Sequence, residues 1–294
     1  MNYKIFLHSL RRCFRLEILL MLVISYSIGT GLVDYLGRGI SQQKFWLGLI
    51  ISLLFYIGSE LISNYFFSTS LNTRENKIDS LRFRNNVFML FVVSLTIIAL
   101  FTYFLYQELS SNFLFIIFWS SFLVFLILYS IPPFSLKNRG FGDILLSIVV
   151  VSITPMFAYI LQMRDVHTTL FLITFPIFFL LISYFLAQML EGYASDIKNN
   201  KNTLMTKLGW KTGMKLHNIF LLTTFVLYGL AAIIGLPTRL VIPALFAFPI
   251  ACIQFWEMWR IGEGYKPRWK LLKISSMGSI SVIAYFLLFN LWLR

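Results

Sequence analysis

Two carboxylates and three lysines punctuate the stretch EGYASDIKNNKNTLMTKLG (191–209): Glu191 and Asp196, then Lys198, Lys201 and Lys207. Hard oxygen ligands set beside ammonium groups suit a phosphate or diphosphate bridged by Mg²⁺, the carboxylates holding the ion and the lysines compensating anionic charge. Charge alone also allows an ordinary solvated loop. Further polar groups interrupt long apolar runs. Glu60 stands one helical turn before Asn64, while Gln188 and Glu191, and Gln254 and Glu257, are spaced i to i+3, so each pair shares a helix face. An ionisable group at membrane depth turns toward a bundle interior or a wet cavity, because facing lipid costs about 2.5 kcal/mol or more. Three such faces predict one polar pocket, although each could instead snorkel to an interface and Glu257 could pair with Arg260.

The elements that must position these residues are membrane spans. The chain has 294 residues, of which 58% are hydrophobic and 13% charged, more apolar surface than one soluble core can bury. Runs of about 20 apolar residues, long enough to cross the hydrocarbon layer, recur along the whole length. They predict nine helices near 17–36, 44–67, 86–106, 111–131, 142–162, 168–189, 216–236, 239–259 and 272–293. With the N-terminus inside and the C-terminus outside, only Arg38, Lys44, Arg164, Arg239 and Arg294 of the 25 Lys and Arg fall outside, as the positive-inside tendency requires. No soluble domain fits between the spans, so residues 1–294 read as a single transmembrane domain.

The net charge of +13 does not indicate a nucleic-acid partner, because the basic residues sit in short loops beside the spans and no reader motif accompanies them. Topology and contact with anionic membrane lipid account for it. Cys13 and Cys252 lack CxxC spacing or histidine company and read as packing residues, and His8, His167 and His217 stand singly near span ends. The longer loops, 63–86, 191–215 and 260–273, together with a shorter one at 129–143, all lie on the inside face, where a site would be built. In the last of these, Pro132-Pro133 ends a helix, and Lys137, Arg139, Gly140 and Gly142 complete a basic turn.

Two segments carry a resemblance. YSIPPFSLKNRGFGD (129–143) resembles the Tyr-x-x-Pro-Pro-x-x-Leu-Lys-x-x-x-x-Gly turn of the UbiA superfamily of intramembrane prenyltransferases, with Lys137 and Gly142 in place. SDIKNNKNTLMTKLGWKTG (195–213) resembles that family's second motif through Asp196, Thr203-Leu204 and Leu208-Gly209. The resemblance implies an all-α integral membrane protein, a UbiA-like bundle of nine transmembrane helices. It also implies Mg²⁺ as cofactor and transfer of an isoprenyl group from an isoprenyl diphosphate to a lipophilic acceptor. On that reading Asp196 and Glu191 hold the metal and, with Lys198 and Lys201, carry the chemistry. Asn64, Ser68, Asn72, Glu60, Lys137, Arg139, Gln188 and Lys207 contact the substrate. The N-terminus does not read as a transit peptide, so the simplest expectation is a cell (inner) membrane with the site on the cytoplasmic side.

One departure qualifies this. The family's first motif has the form Asn-Asp-x-x-Asp-x-x-x-Asp, and SNYFFSTSLN (63–72) contains no Asp. Asn64, Tyr65, Ser68 and Asn72 occupy its positions in one alignment, and Asn64, Phe67 and Leu71 replace the acids in another. Glu60, Glu75 and Asp79 are the acids nearby. Neutral oxygens bind Mg²⁺ poorly compared with carboxylates. Two other functions therefore stand beside prenyl transfer: a UbiA-type terpene cyclase, and a degenerate member that binds an isoprenoid or quinone-like lipid. An unrelated transporter would call for inverted repeats or paired broken helices, which the sequence does not display.

Overall fold

The structure is a computed structural model that describes residues 14–67, 77–109 and 112–293, without the side chains of residues 77–80 and Arg82. Ser68, Asn72 and Glu75 lie outside the described residues, as does the side chain of Asp79. The described chain is helical throughout: α1 (Leu16–Tyr35), α2 (Gln42–Phe67), α3 (Lys77–Leu109), α4 (Phe113–Ser130), α5 (Leu136–Arg139), α6 (Gly142–Met163), α7 (Thr168–Leu190), α8 (Tyr193–Lys198), α9 (Leu204–Leu208), α10 (Trp210–Ile234), α11 (Thr238–Gly262) and α12 (Trp269–Trp292). Nine of these are long and apolar enough to cross a membrane. Their bounds follow the predicted spans to within a few residues except at the starts of α3, which begins at Lys77 rather than near 86, and of α10. That helix begins at Trp210 rather than near 216, because its first turns carry Lys211 and Lys215 and so read as loop in a hydropathy profile.

The bundle is organised by how much each helix is enclosed. The apolar stretches of α6 and α7 are each 67% buried, whereas that of α3 is 22% buried, which puts α6 and α7 at the centre and α3 at the edge. Large apolar side chains such as Ile233, Ile274 and Leu245 remain exposed, the pattern expected of a lipid-facing surface. Neighbouring helices pair as α1 with α6, α2 with α3, α7 with α10 and α11 with α12. In the apolar phase such contacts depend on close packing rather than on expulsion of water. Gly29 of α1 illustrates this: a Cβ there would stand 2.1 Å from the carbonyl oxygen of Pro155.

The central helix α6 is not uniform. Residues Val149–Ile153 form a π-helical turn just before Pro155, which has no N–H to continue the ladder. Thr154 donates both its backbone N–H and, at 2.8 Å, its hydroxyl to the carbonyl of Val149. This wider turn lies inside the bundle, where Val150 and Val151 line a cavity between α1, α6, α7 and α12.

Candidate functional site

At the end of the bundle where α2 leaves the apolar layer, Glu60 is buried with its side chain only 2% exposed, and both of its oxygens are engaged. Tyr129 Oη donates to Oε1 at 2.7 Å, and Lys137 Nζ donates to Oε2 at 2.5 Å. Beside them Ser130 Oγ donates to the carbonyl of Ser59 at 2.6 Å, which fastens the end of α4 to α2. Asn64 turns back on its own helix, its Nδ2 donating to the carbonyl of Glu60 at 2.8 Å.

Local geometry delivers Lys137 to this place. The proline pair stops α4, and the four residues of α5 are bracketed by left-handed backbone at Ser135 and Gly140. Gly140, at φ 90°, permits that turn and also a close approach. A Cβ there would stand 2.8 Å from the carbonyl oxygen of Thr203 and 3.0 Å from Lys207 Cγ. The turn 129–143 and the loop 191–209 thus touch directly. Arg139 folds onto the turn itself, donating to the carbonyl of Pro133 at 2.6 Å. From the same turn Asp143 pairs with Arg15 at 2.6 Å, tying the start of α1 to that of α6.

The loop 191–209 contains two short helices. Thr203 caps α9 reciprocally: Thr206 N donates to Thr203 Oγ1 at 3.2 Å, and Thr203 N donates to Thr206 Oγ1 at 2.8 Å. Leu204 and Met205 bury themselves in an apolar cluster with Leu186, Leu190, Met258 and Leu272. Thr203-Leu204 therefore acts as a cap followed by an anchor, and this holds α9 against α7 and α10. Asp196, in the first turn of α8, lies 3.6 Å from Lys201 Nζ, and Glu191 forms an ion pair with Lys273. Lys198 and Lys207 are exposed.

The three polar faces do not converge on a single pocket. Gln188 donates to Ser276 Oγ at 3.1 Å. Gln254 belongs to a buried network, with His217 Nε2 at 2.8 Å and Ser279 Oγ, donating to Gln254 Oε1, at 3.1 Å. Together with Lys273, residues Ser276 and Ser279 make α12 a polar ladder that receives Glu191, Gln188 and Gln254. Glu60 belongs to the separate α2–α4–α5 junction. Glu257 pairs with Arg260 at 2.9 Å, as its spacing allowed, and with Arg268 at 3.6 Å. Sequence reasoning passed over Tyr129 as a partner for Glu60, although it begins the quoted motif, and it used Arg15 and Lys273 only as topological charges. Asp143, Glu17 and Tyr184 carried no signal of their own.

Each of the carboxylates Glu60, Asp196 and Glu191 meets a lysine. Among the described residues no group of three or more His, Cys, Asp or Glu could enclose a metal ion. Mg²⁺ is commonly held by one or two carboxylates plus substrate phosphates and water. Asp196 and Glu191 have the oxygen-donor chemistry for that limited role, each already paired with a lysine, and do not amount to a closed protein cage.

The UbiA prenyltransferase family model matches residues 44–277. Among solved structures, a digeranylgeranylglyceryl phosphate synthase superposes with a TM-score of 0.66 at 15% identity, covering 94% of this chain and 98% of that one. A UbiA homologue from Archaeoglobus fulgidus, bound to Cd²⁺, superposes with a TM-score of 0.56 at 16% identity, covering 96% and 97%. No curated protein matches the sequence. At these identities the structures speak for the fold, while the family model spans most of the chain, including both motif segments and the lysine-paired acids. The chain therefore belongs to the UbiA prenyltransferase family.

Proposed function

We propose that this protein, as one transmembrane domain over residues 1–294, transfers an isoprenyl group from an isoprenyl diphosphate to a lipophilic acceptor with Mg²⁺ as cofactor. The site faces the cytoplasmic side of the cell membrane. The observation that carries this reading is the direct contact of the turn 129–143 with the loop 191–209 at Gly140 and Thr203. It brings Lys137 and Lys207 to one seam, with Lys201 and Asp196 on the same loop. Asp196 and Glu191 would hold the metal in place of their lysine partners. When bound, Mg²⁺ compensates the charge of the departing diphosphate. Lys137, Lys198, Lys201, Lys207 and Arg139 add fixed or mobile positive charge there, and by the motif resemblance Asn64, Ser68, Asn72 and Gln188 contact the substrate. Glu60 orients Lys137, because the buried carboxylate fixes that ammonium in place.

A second reading is a catalytically degenerate binder of an isoprenoid or quinone-like lipid. It is favoured by the lysine partner that each of the three carboxylates already has and by the absence of Asp from SNYFFSTSLN. Membranes containing the protein should release diphosphate from geranyl or longer isoprenyl diphosphates when Mg²⁺ is present, and Asp196→Ala should abolish that release. Release insensitive to Asp196→Ala would overturn the site, and lipid binding that persists under Mg²⁺ chelation without any turnover would establish the second reading. Cyclic hydrocarbon formed without an acceptor would identify a cyclase.

A further inference from the structure

At the end of the bundle where Lys273 meets Glu191, a fully buried carboxylate between α11 and α12 organises two guanidinium groups. Arg260 Nη1 donates to Glu257 Oε1 at 2.9 Å, and Nη1 of Arg268, the residue that caps α12, lies 3.6 Å from the same oxygen. The second carboxylate oxygen is enclosed, so the cluster turns guanidinium rather than carboxylate toward the surface. Among the described residues neither arginine forms an ion pair with any other acid. Two positive charges thus meet one negative charge, and a single positive charge is left over at a fixed place.

Aromatic rings hold these guanidiniums in place. Arg260 lies over the Trp256 ring at 4.9 Å and Arg268 over the same ring at 5.9 Å. The Tyr265 N–H donates to the Arg260 carbonyl at 3.1 Å, and the Tyr265 ring sits 5.5 Å from the Arg260 guanidinium. Phe246, Pro249, Ile253 and Trp256 are all exposed and follow one another at helical spacing, so one outward stripe of α11 leads to the arginines. At 1.5 Å per residue the stripe is about 15 Å long, half of the roughly 30 Å hydrocarbon layer and therefore the depth of one leaflet. An apolar track of that depth, ending in interfacial aromatic rings and one surplus guanidinium charge, matches the shape and charge of an anionic phospholipid. The fork of an arginine accepts a phosphodiester in two parallel hydrogen bonds, and stacking with a carboxylate tether orients both forks beforehand.

We propose that the α11–α12 hairpin is a binding site for one anionic phospholipid, its phosphodiester on Arg260 and Arg268 and an acyl chain along the stripe from Trp256 to Phe246. The site is independent of the prenyl-transfer reading, since none of its residues belongs to the turn 129–143 or the loop 191–209. Full-length protein is reconstituted in phosphatidylcholine vesicles containing a small fraction of phosphatidylglycerol with brominated chains, or of equally brominated phosphatidylcholine, and tryptophan quenching is followed. The wild type should reach half-quenching at about a fivefold lower fraction of the anionic lipid, the factor expected of one surface charge. Arg268→Gln leaves Glu257 and Arg260 as a neutral pair and should bring the two lipids to within about twofold; with its side chain 58% exposed, Arg268 can be replaced without opening the core. Should it fold poorly, Glu257→Gln combined with Arg260→Gln and Arg268→Gln removes both signs together and should lose the preference equally. Trp256→Phe keeps a ring beneath the guanidiniums and should abolish the lipid-selective part of the quenching. Lys211→Gln with Lys215→Gln removes two exposed charges from the start of α10 and should leave the preference intact. Equal quenching by the two lipids in the wild type, a preference unchanged in Arg268→Gln, or selective quenching that persists in Trp256→Phe would each overturn the proposal. So would a loss in the lysine variant as large as in Arg268→Gln, which would show diffuse attraction rather than a site. Inorganic phosphate, compared with chloride at equal ionic strength, should not relieve the quenching; relief specific to phosphate would reassign the arginines to a soluble anion and overturn the lipid.

Discussion

Substituting Lys137 by Met should destabilise the protein far more than its position in a surface turn suggests. Glu60 is 2% exposed, and Lys137 supplies the positive charge that faces its Oε2 at 2.5 Å. Removing one partner of a buried pair strands a charge at a cost of 3 to 5 kcal/mol. The lower end, about 3 kcal/mol, applies here, because Lys137 is 28% exposed and water entering through its vacated position would solvate part of the carboxylate. Glu60→Gln should cost only about 1 kcal/mol, since the neutral amide still accepts from Tyr129 and the freed ammonium can turn to water. The double variant then contains no stranded charge and should be about 2 kcal/mol more stable than Lys137→Met alone. Reversible unfolding in mixed micelles with increasing sodium dodecyl sulfate, followed by tryptophan fluorescence, would measure all four proteins. If the double variant were no more stable than Lys137→Met, the loss would not come from an uncompensated Glu60, and its role in fixing Lys137 would fall with it.

Two further substitutions test the framework around the site. Gly140→Ala imposes a side chain on left-handed backbone 2.8 Å from the Thr203 carbonyl, and should cost about 2 kcal/mol and lower diphosphate release by separating the two motif segments. Normal stability and turnover in that variant would contradict the close contact. Gln254→Leu leaves His217 Nε2 and the Ser279 hydroxyl without their shared partner, and should cost about 2 kcal/mol in the same unfolding measurement. An unchanged midpoint would mean that the network contributes nothing.

The spans were legible because hydrocarbon thickness imposes a length and a composition that each segment must meet independently of its neighbours. The start of α10 was misplaced for the same reason: Trp210 to Lys215 is helical with Gly213 and Met214 packed inside, yet its lysines resemble a loop. Motif residues near one another in sequence, such as Thr203 and Thr206 or Glu257 and Arg260, could also be paired from spacing, because helix geometry fixes what three or four residues apart can reach. The grouping of Gln188, Gln254 and Glu60 into one pocket failed at the next level. Periodicity assigns a side chain to a face of its helix, and which neighbour occupies that face is a property of the bundle.

Sequence by itself determined that the chain is a membrane-embedded helical bundle with two basic segments of UbiA type, since hydropathy and motif spacing are local quantities. Only the tertiary structure decided that Lys137 answers Glu60 across 77 positions, that Arg15 reaches Asp143 across 128, and that Glu191 finds Lys273. It also decided that an apolar cavity is assembled from four separate helices. These pairings depend on how the helices cross and how closely their backbones approach, which is set by packing summed over the whole bundle rather than by any one stretch of chain.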